Sequence, residues 1–359
     1  MATTHPLELQ EITDLVASYL RSEDLARCIG VSRSWRDAFL LHRWKKVSVD
    51  DSDGTHPFGP RQEAICNRRH LIQDLSLFNT TNEYTKYDYP SLRRLRVNVY
   101  GRVNGNDPLF MDLTTNAPML VHLKLVYVTT PPGFWDTLSA HPHIRHLHLV
   151  SIYLKVDGSA GLWKTFMKLE SLQMDFTKME RGGHPKNVVL DRLRKLRLNG
   201  TWLEGDSIAM DVMVQSPMLE SLSLKFLVCQ GREAHSRQIL NGDWPYLKTL
   251  YVDGCKMDSQ LDFIFKRVEN GPVNIVDVGP YRPGFGTQAF RTFDSRFSAL
   301  VDVDLCNGAM DSRSIIPDLL CLCPRLERLL ARHVYALNVA ERGLWVCQHL
   351  RELRIQFIF

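Results

Sequence analysis

One short arrangement of hydrophobic and polar positions, apolar-x-x-apolar-x-apolar, recurs along most of the chain. It reads IQDLSL from Ile72, LRRLRV from Leu92, LVHLKL from Leu120, IRHLHL from Ile144, LESLQM from Leu169 and LRKLRL from Leu193. It continues as LESLSL from Leu219, LKTLYV from Leu247, VNIVDV from Val273, LVDVDL from Leu300, a weaker LERLLA from Leu326 and LRELRI from Leu350. These twelve copies start 20 to 28 residues apart. Within a copy the second and third apolar residues are two apart, so on an extended backbone they point the same way, and their neighbours point the other. Each copy predicts one short strand with an apolar face. Segments between copies, such as FWDTLSAHP, DSIAMDVMVQSP, MDSQLDFIFKRVENGP and IIPDLLCLCP, carry apolar residues at mixed three and four spacing and predict helices. Six copies place a proline two residues before the first apolar position (Pro90, Pro118, Pro142, Pro217, Pro245, Pro324), where a helix must stop and a strand has not begun.

A strand and a helix repeated at this interval predict an α/β solenoid with parallel strands on its concave face and helices on its convex face. Over residues 72 to 359 the pattern resembles the leucine-rich repeat family. That family carries asparagine or cysteine three residues past the last strand apolar. Here only Cys255 meets the requirement, Thr80, Thr177 and Thr201 are polar substitutes, and other copies hold Val128 or Gly308. The ladder of buried side-chain hydrogen bonds is expected to be incomplete and the curvature irregular.

Residues 5 to 49 follow a different pattern. Thr4 and Pro6 predict a helix start, and Leu9, Ile12, Leu15, Val16, Tyr19 and Leu20 follow at helical spacing, ending near Arg21. Ser22, Glu23 and Asp24 start a second helix with acidic residues at its positive end, carrying Leu25, Cys28 and Ile29 until Gly30 stops it. Ser32 starts a third, with Trp35, Phe39 and Leu40 on one side. Three such helices have too small a core to bury this much apolar surface, so the segment is expected to lean on another surface.

Pro6, Glu8, Leu9, Ile12, Tyr19, Leu20, Asp24, Leu25, Cys28, Val31, Ser32, Arg33, Trp35, Arg36, Trp44 and Val47 keep the spacing of one known module. The stretch resembles the F-box, the adaptor-binding module of SCF-type ubiquitin ligases. One departure is His5, where the family usually has leucine. The resemblance implies a substrate receptor: the F-box docks on a Skp-type adaptor, a cullin-RING ligase is recruited through it, and the repeats hold an unknown target protein. It also implies that Pro6, Leu9, Ile12, Leu20, Leu25, Val31 and Trp35 face or support the adaptor. The expected domains are an F-box over 1–48, a connecting segment over 49–69 and the repeats over 70–359. A plain repeat scaffold with a helical N-terminal cap is the alternative, because solenoids need their ends sealed.

Composition changes this picture little. The chain has 359 residues, 44% hydrophobic and 23% charged, with a formal net charge of +4, so no global charge argues for nucleic acid or an anionic membrane. Eight cysteines without a C-x-x-C pair, and an N-terminus without a basic-then-apolar signal, predict reduced thiols in the cytoplasm or nucleus. The apolar stretch IIPDLLCLC, broken by Pro317 and Asp318, falls far short of the roughly 20 residues of a membrane span, and none is expected.

No catalytic motif stands out, and neither an enzyme nor a cofactor is expected. His146 and His148 stand two apart on one strand, yet no third metal ligand with suitable spacing accompanies them. Cys321 and Cys323 are also two apart but flank a proline-bounded helix end, where buried cysteine serves as a small apolar residue. GPYRPGFG has neither the glycine spacing nor the lysine of a phosphate loop and reads as a turn.

Specificity is expected on the concave strand positions beside the inward apolar residues. These are Arg94, Arg96, His122, Lys124, His146, His148, Lys195 and Arg197, a basic half, then Tyr251, Asp253, Asp277, Asp302 and Asp304, an acidic half. At about 4.8 Å per strand the two centres are roughly 24 Å apart, beyond a Debye length of about 8 Å, so they are expected to act independently. The basic half lacks the interleaved aromatics that stack bases, which disfavours nucleic acid. It suits an acidic or phosphorylated protein segment, or a small polyanion such as an inositol phosphate. The last copy ends in Ile355, Phe357, Ile358 and Phe359 with no following helix, which predicts a shortened chain or an edge covered by a partner.

Overall fold

The structure, a computed structural model, describes residues 10–50, 62–79, 84, 87–99, 116–128, 130, 132–154, 159–179, 188–200, 202–204, 212–213, 215–225, 228–230, 244, 246–247, 249–253, 273–278, 300–305, 316, 319–335 and 344–358. They fall in two compact units, Met1–Ile144 and Arg145–Phe359.

The first unit begins with helices α1 (Gln10–Tyr19), α2 (Ser22–Val31) and α3 (Arg33–Lys45). Their core is small: Ala17, Leu25 and Phe39 are buried, with Val16, Leu20, Cys28, Ile29, Trp35 and Ala38 packed against them. Glu23 and Asp24 occupy the first turn of α2, as the sequence predicts. Gly30 does not end that helix, which runs on to Val31. A side chain at Gly30 would meet nothing within 4 Å, so the helix passes through it unopposed. The break comes at Ser32, whose extended backbone (φ −158°, ψ 170°) lets its hydroxyl accept from Trp35 N at 3.1 Å and cap α3. The expected start at Thr4 and Pro6 lies outside the described residues.

α3 passes directly into β1 (Lys46–Asp50), and its end touches the 3-10 turn Arg69–Leu71 that follows α4 (Gln62–Arg68). β2 (Asp74–Phe78), β3 (Arg94–Asn98) and β4 (His122–Val126) complete a parallel run in the order β1–β2–β3–β4. β1 belongs to the same series as the later strands, because Val47 pairs with Leu75 and Val49 with Leu77. Trp44-x-x-Val47-x-Val49 is therefore a further copy of the repeat, one the sequence reading assigns to the helical head. α5 (Phe134–Ala140) buries Phe134, Trp135 and Leu138 and is the helix expected at FWDTLSAHP.

The second unit carries β5 (His146–Val150), β6 (Tyr153–Leu154), α6 (Ser159–Phe166), β7 (Ser171–Asp175), β8 (Lys178–Met179), β9 (Lys195–Asn199), β10 (Trp202–Glu204), β11 (Ser221–Lys225) and β12 (Val228–Gln230). Then come β13 (Thr249–Asp253), β14 (Val273–Val278), β15 (Leu300–Leu305), β16 (Arg328–Tyr335) and β17 (Glu352–Ile358). Its parallel order is β5–β7–β9–β11–β13–β14–β15–β16–β17, one strand per sequence copy. Parallel strands, one per copy of the leucine pattern and in matching register except at β13–β14, β14–β15 and β16–β17, give an α/β architecture consistent with a leucine-rich-repeat solenoid.

Burial follows the pattern. The first apolar residues (Ile72, Leu92, Leu120, Leu169, Leu219), the second (Leu75, Leu123, Leu172, Leu222) and the third (Leu77, Leu125, Met174, Leu224) are all buried. At roughly 1.5–3 kcal/mol for each buried Leu-sized side chain, this stack is the main source of stability. The prolines have a defined place. In Tyr89-Pro90-Ser91-Leu92, Ala117-Pro118-Met119-Leu120 and Cys323-Pro324-Arg325-Leu326, the leucine N–H donates to the carbonyl three residues back at 3.0 to 3.2 Å. Proline thus holds the second position of a turn, where its fixed φ is already correct and its missing N–H costs nothing.

A left-handed residue follows the strand in several repeats: Asn79 (φ 49°), Tyr127 (φ 56°), Ser151 (φ 51°), Phe176 (φ 51°) and Gly200 (φ 58°). Its N–H reaches the next strand's last carbonyl, as from Asn79 to Asn98, Ser151 to Asp175 and Phe176 to Asn199. The polar-ladder position comes next. Thr177 is buried and its hydroxyl donates to Leu149 O at 3.4 Å and Asp175 O at 3.3 Å, while Val128 fills the same place with apolar packing. Thr80, Thr201, Cys255 and Gly308 lie outside the described residues. Beyond this turn two short parallel pairs, β6–β8 and β10–β12, add a second ladder that the sequence reading does not include.

The register of β14 differs from the expected one. Leu250 pairs with Ile275 and Tyr251 with Val276, and an irregularity follows before Val252 pairs with Val278. Ile275, not Val276, therefore holds the second apolar position, and Asp277 falls in the bulge instead of on the concave ladder. VNIVDV has apolar residues at both spacings, and a one-residue slip exchanges the two faces of a strand. The helices predicted at MDSQLDFIFKRVENGP and the turn at GPYRPGFG lie outside the described residues. Among the described residues no helix is long and apolar enough to cross a membrane.

Candidate functional site

Strand positions one, three and five face away from the leucine core, and the register lines them up in rows. In the first unit the rows are Asp74–Arg94–His122, Ser76–Arg96–Lys124 and Phe78–Asn98–Val126. Two of the predicted cations here are already engaged. Arg94 lies 3.8 Å from the Asp74 carboxylate, and the Arg96 guanidinium sits 4.9 Å over the Phe78 ring.

In the second unit β5, β7 and β9 give the rows His146–Ser171–Lys195, His148–Gln173–Arg197 and Val150–Asp175–Asn199. Four predicted residues, His146, His148, Lys195 and Arg197, are thus brought onto three adjoining strands. At their centre stands a residue that the sequence reading passes over. Asp175 is only 8% exposed. Its Oδ2 accepts from His148 Nε2 at 2.8 Å and from Gln173 Nε2 at 2.7 Å, and its Oδ1 lies 3.7 Å from Arg197 Nε. That last separation is an ion pair without a hydrogen bond, so Oδ1 is a buried acceptor with no donor, and the neighbouring Asn199 Oδ1 is another. Burial pushes the Asp175 carboxyl up, but the hydrogen bonds from His148 and Gln173 and the charges of His148 and Arg197 outweigh it and hold the group below the ordinary carboxyl value.

The signal for Asp175 is present in the sequence, since LESLQMD alternates to position five. Reading only two outward positions per strand leaves out Asn98, Asp175 and Asn199. Phe176, 56% exposed, flanks the cluster with its ring laid over Gly200.

Farther along, the acidic positions divide. Arg328 grips Asp302 through two contacts, Nε to Oδ1 at 2.7 Å and Nη2 to Oδ2 at 2.6 Å. Its charge is spent inside the ladder. Asp304 pairs in register with Val276 and Leu330, and Tyr251 and Asp253 pair with Ser223 and Lys225, but their side chains lie outside the description, as does that of Asp277.

The helical head distributes its candidate residues unevenly. Leu25 is buried, Ile12, Leu20 and Trp35 are half-buried, and Val31 is 64% exposed. Trp35 packs on Phe39 with ring centroids 5.5 Å apart. Pro6 and Leu9 lie outside the described residues. Leu15 and Tyr19, four apart on α1, are 60% and 80% exposed, so the head shows solvent its apolar side chains as well as burying some.

Among the described residues no group of three or more His, Cys, Asp or Glu could hold a metal ion, and the His148 Nε2 is occupied by Asp175. Cys321 is half-buried and Cys323 buried at the turn before β16. Burial and the nearby Cys347 push the Cys323 thiol far up, so it is a packing residue there.

No protein-family model matches the sequence, and no curated protein is similar to it. Among solved structures the chain is similar to an internalin (inlF) from Listeria monocytogenes, at 12% identity and a TM-score of 0.44, over 98% of this chain and 95% of that one.

Proposed function

We propose that the protein is the substrate-recognition subunit of an SCF-type ubiquitin ligase, docking a Skp-type adaptor with its helical head and holding a target protein on its repeats. The observation that carries this reading is the head itself. It keeps the spacing of an F-box from Ile12 to Val47 and leaves Leu15, Tyr19 and Val31 exposed around a three-residue core. A segment serving only to seal the first strand would not need an apolar exterior as well, whereas a docking module does. Its contribution to catalysis would be proximity: a target and a charged conjugating enzyme held together react as a nearly unimolecular pair. No catalytic residue of its own is required.

The plain repeat scaffold is the second reading, supported by the direct passage of α3 into β1, which seals one end of the first unit's strand run. Coexpression with a Skp-type adaptor separates the two. Leu15→Glu with Tyr19→Glu should abolish adaptor capture and leave the thermal unfolding of the protein unchanged, because both side chains are exposed. Equal capture by the double variant would remove the head from the docking role, and no capture by the unaltered protein would leave the scaffold.

A further inference from the structure

β17 (Glu352–Ile358) stands last in the strand order, and its outer side meets no strand among the described residues. Register sets its inward positions, since Leu353 pairs with Leu329 and Ile355 with Ala331, both buried. Those partners are covered, yet Leu353 is 38% and Phe357 41% exposed. Ahead of the strand Leu344, Trp345 and Val346 are exposed as well, and Val346 N donates to Leu320 O at 3.0 Å, which anchors this segment against the preceding repeat. β1 differs, because its inward Val47 and Val49 are buried. An edge strand is normally guarded by proline, lysine or a bulge. β17 contains neither proline nor lysine, and the irregularity beside it adds a residue to β16 and leaves β17 continuous. Its two charges cancel, with Arg354 Nε 2.7 Å from Glu352 Oε1.

We propose that two copies of this chain associate through β17, paired antiparallel about a two-fold axis at Ile355, so that one sheet continues across both copies. What selects a second copy is that the strand is its own complement in this register. Leu353 stands opposite Phe357 of the second copy, Ile355 opposite Ile355 and Phe357 opposite Leu353, so every inward position sets apolar beside apolar. On the other face Arg354 meets Gln356, and the internal ion pair leaves the strand with no net charge to repel its copy. A two-fold axis at Arg354 would instead stack guanidinium on guanidinium. The contact closes on itself, because the same edge is used on both sides. Head-to-tail growth does not follow, since β1 offers no exposed inward residue for Leu353 and Phe357 to cover. The pairing needs nothing from the helical head and holds for a ligase receptor and a bare scaffold alike.

The test is sedimentation velocity of the full chain from about 1 to 100 µM. The weight-average mass should rise twofold from 41.3 kDa across that range. Leu353→Lys with Phe357→Lys, both at exposed positions, should hold the mass at the monomer value with the circular dichroism of the unaltered protein. Cross-linking tests the register without relying on that variant. Under oxidised glutathione Ile355→Cys should give a disulfide-linked dimer, since the residue faces itself across one strand spacing. Leu353→Cys should give only the background of the unaltered protein, because its own counterpart lies four residues along the second strand, roughly 14 Å away. A monomer at every concentration overturns the inference, as does a dimer that persists in the lysine variant, or equal cross-linking at the two positions. A series of masses beyond the dimer also overturns it, by showing open stacking instead of a closed pair.

Discussion

At the residue scale, two positions near the end of β7 carry consequences that can be measured. Asp175 is held below its ordinary carboxyl value because His148, Gln173 and Arg197 favour its charged form more than burial opposes it. A depressed carboxyl contributes stability that is present above its unfolded value of about 3.9 and is lost as pH falls through the lower folded value. Acid unfolding of the protein should therefore include a stabilising contribution from Asp175 that disappears below about pH 4. Asp175→Asn should make the stability profile flatter in that range and leave its neutral-to-basic limb parallel to that of the unaltered protein. An unchanged acid limb would contradict the arrangement. Gly200 is the second position. Its φ of +58° suits glycine, and a Cβ there would press into the Phe176 ring. Gly200→Ala should lower the urea unfolding free energy by about 1–2 kcal/mol, the cost of the left-handed conformation, since the exposed Phe176 ring can swing aside. A neutral or stabilising result would mean that the turn after β9 is not built this way.

At the scale of elements, the sequence makes strands easy to find and their neighbours harder. A strand of five residues with two leucines on one side has one satisfactory burial, so Leu196 with Leu198 and Leu222 with Leu224 declare their strands and register at once. The same clarity fails where the chain offers two solutions. Val273, Ile275, Val276 and Val278 are apolar at both alternations, and only pairing with β13 and β15 selects Ile275 over Val276. Trp44, Val47 and Val49 satisfy the repeat, but they also end the helical head, and the head was the more conspicuous pattern. Glycine commonly ends helices, and on that ground the sequence predicts a stop at Gly30. The Ser32 cap, two residues on, decides the boundary instead. The Asp175 cluster was legible only as an alternation. Its chemistry arises where three strands lie side by side, and no spacing along the chain encodes that two donors meet on one oxygen while the other oxygen has none.

At the scale of the whole molecule, the protein combines a helical head with a thin core and two runs of parallel strands, each burying leucines among its described residues. The strand runs get their stability from repetition, each copy burying its leucines against the next. The head has no such resource, and its exposed Leu15, Tyr19 and Val31 are the surface assigned to the proposed adaptor. Hydrogen–deuterium exchange of the full chain, alone and with a purified Skp-type adaptor, tests this division most directly. The account predicts that the adaptor slows exchange of amides in α1, α2 and α3 and leaves β5, β7 and β9 at their free rates. Protection confined to the strands, or none anywhere at saturating adaptor, would contradict it.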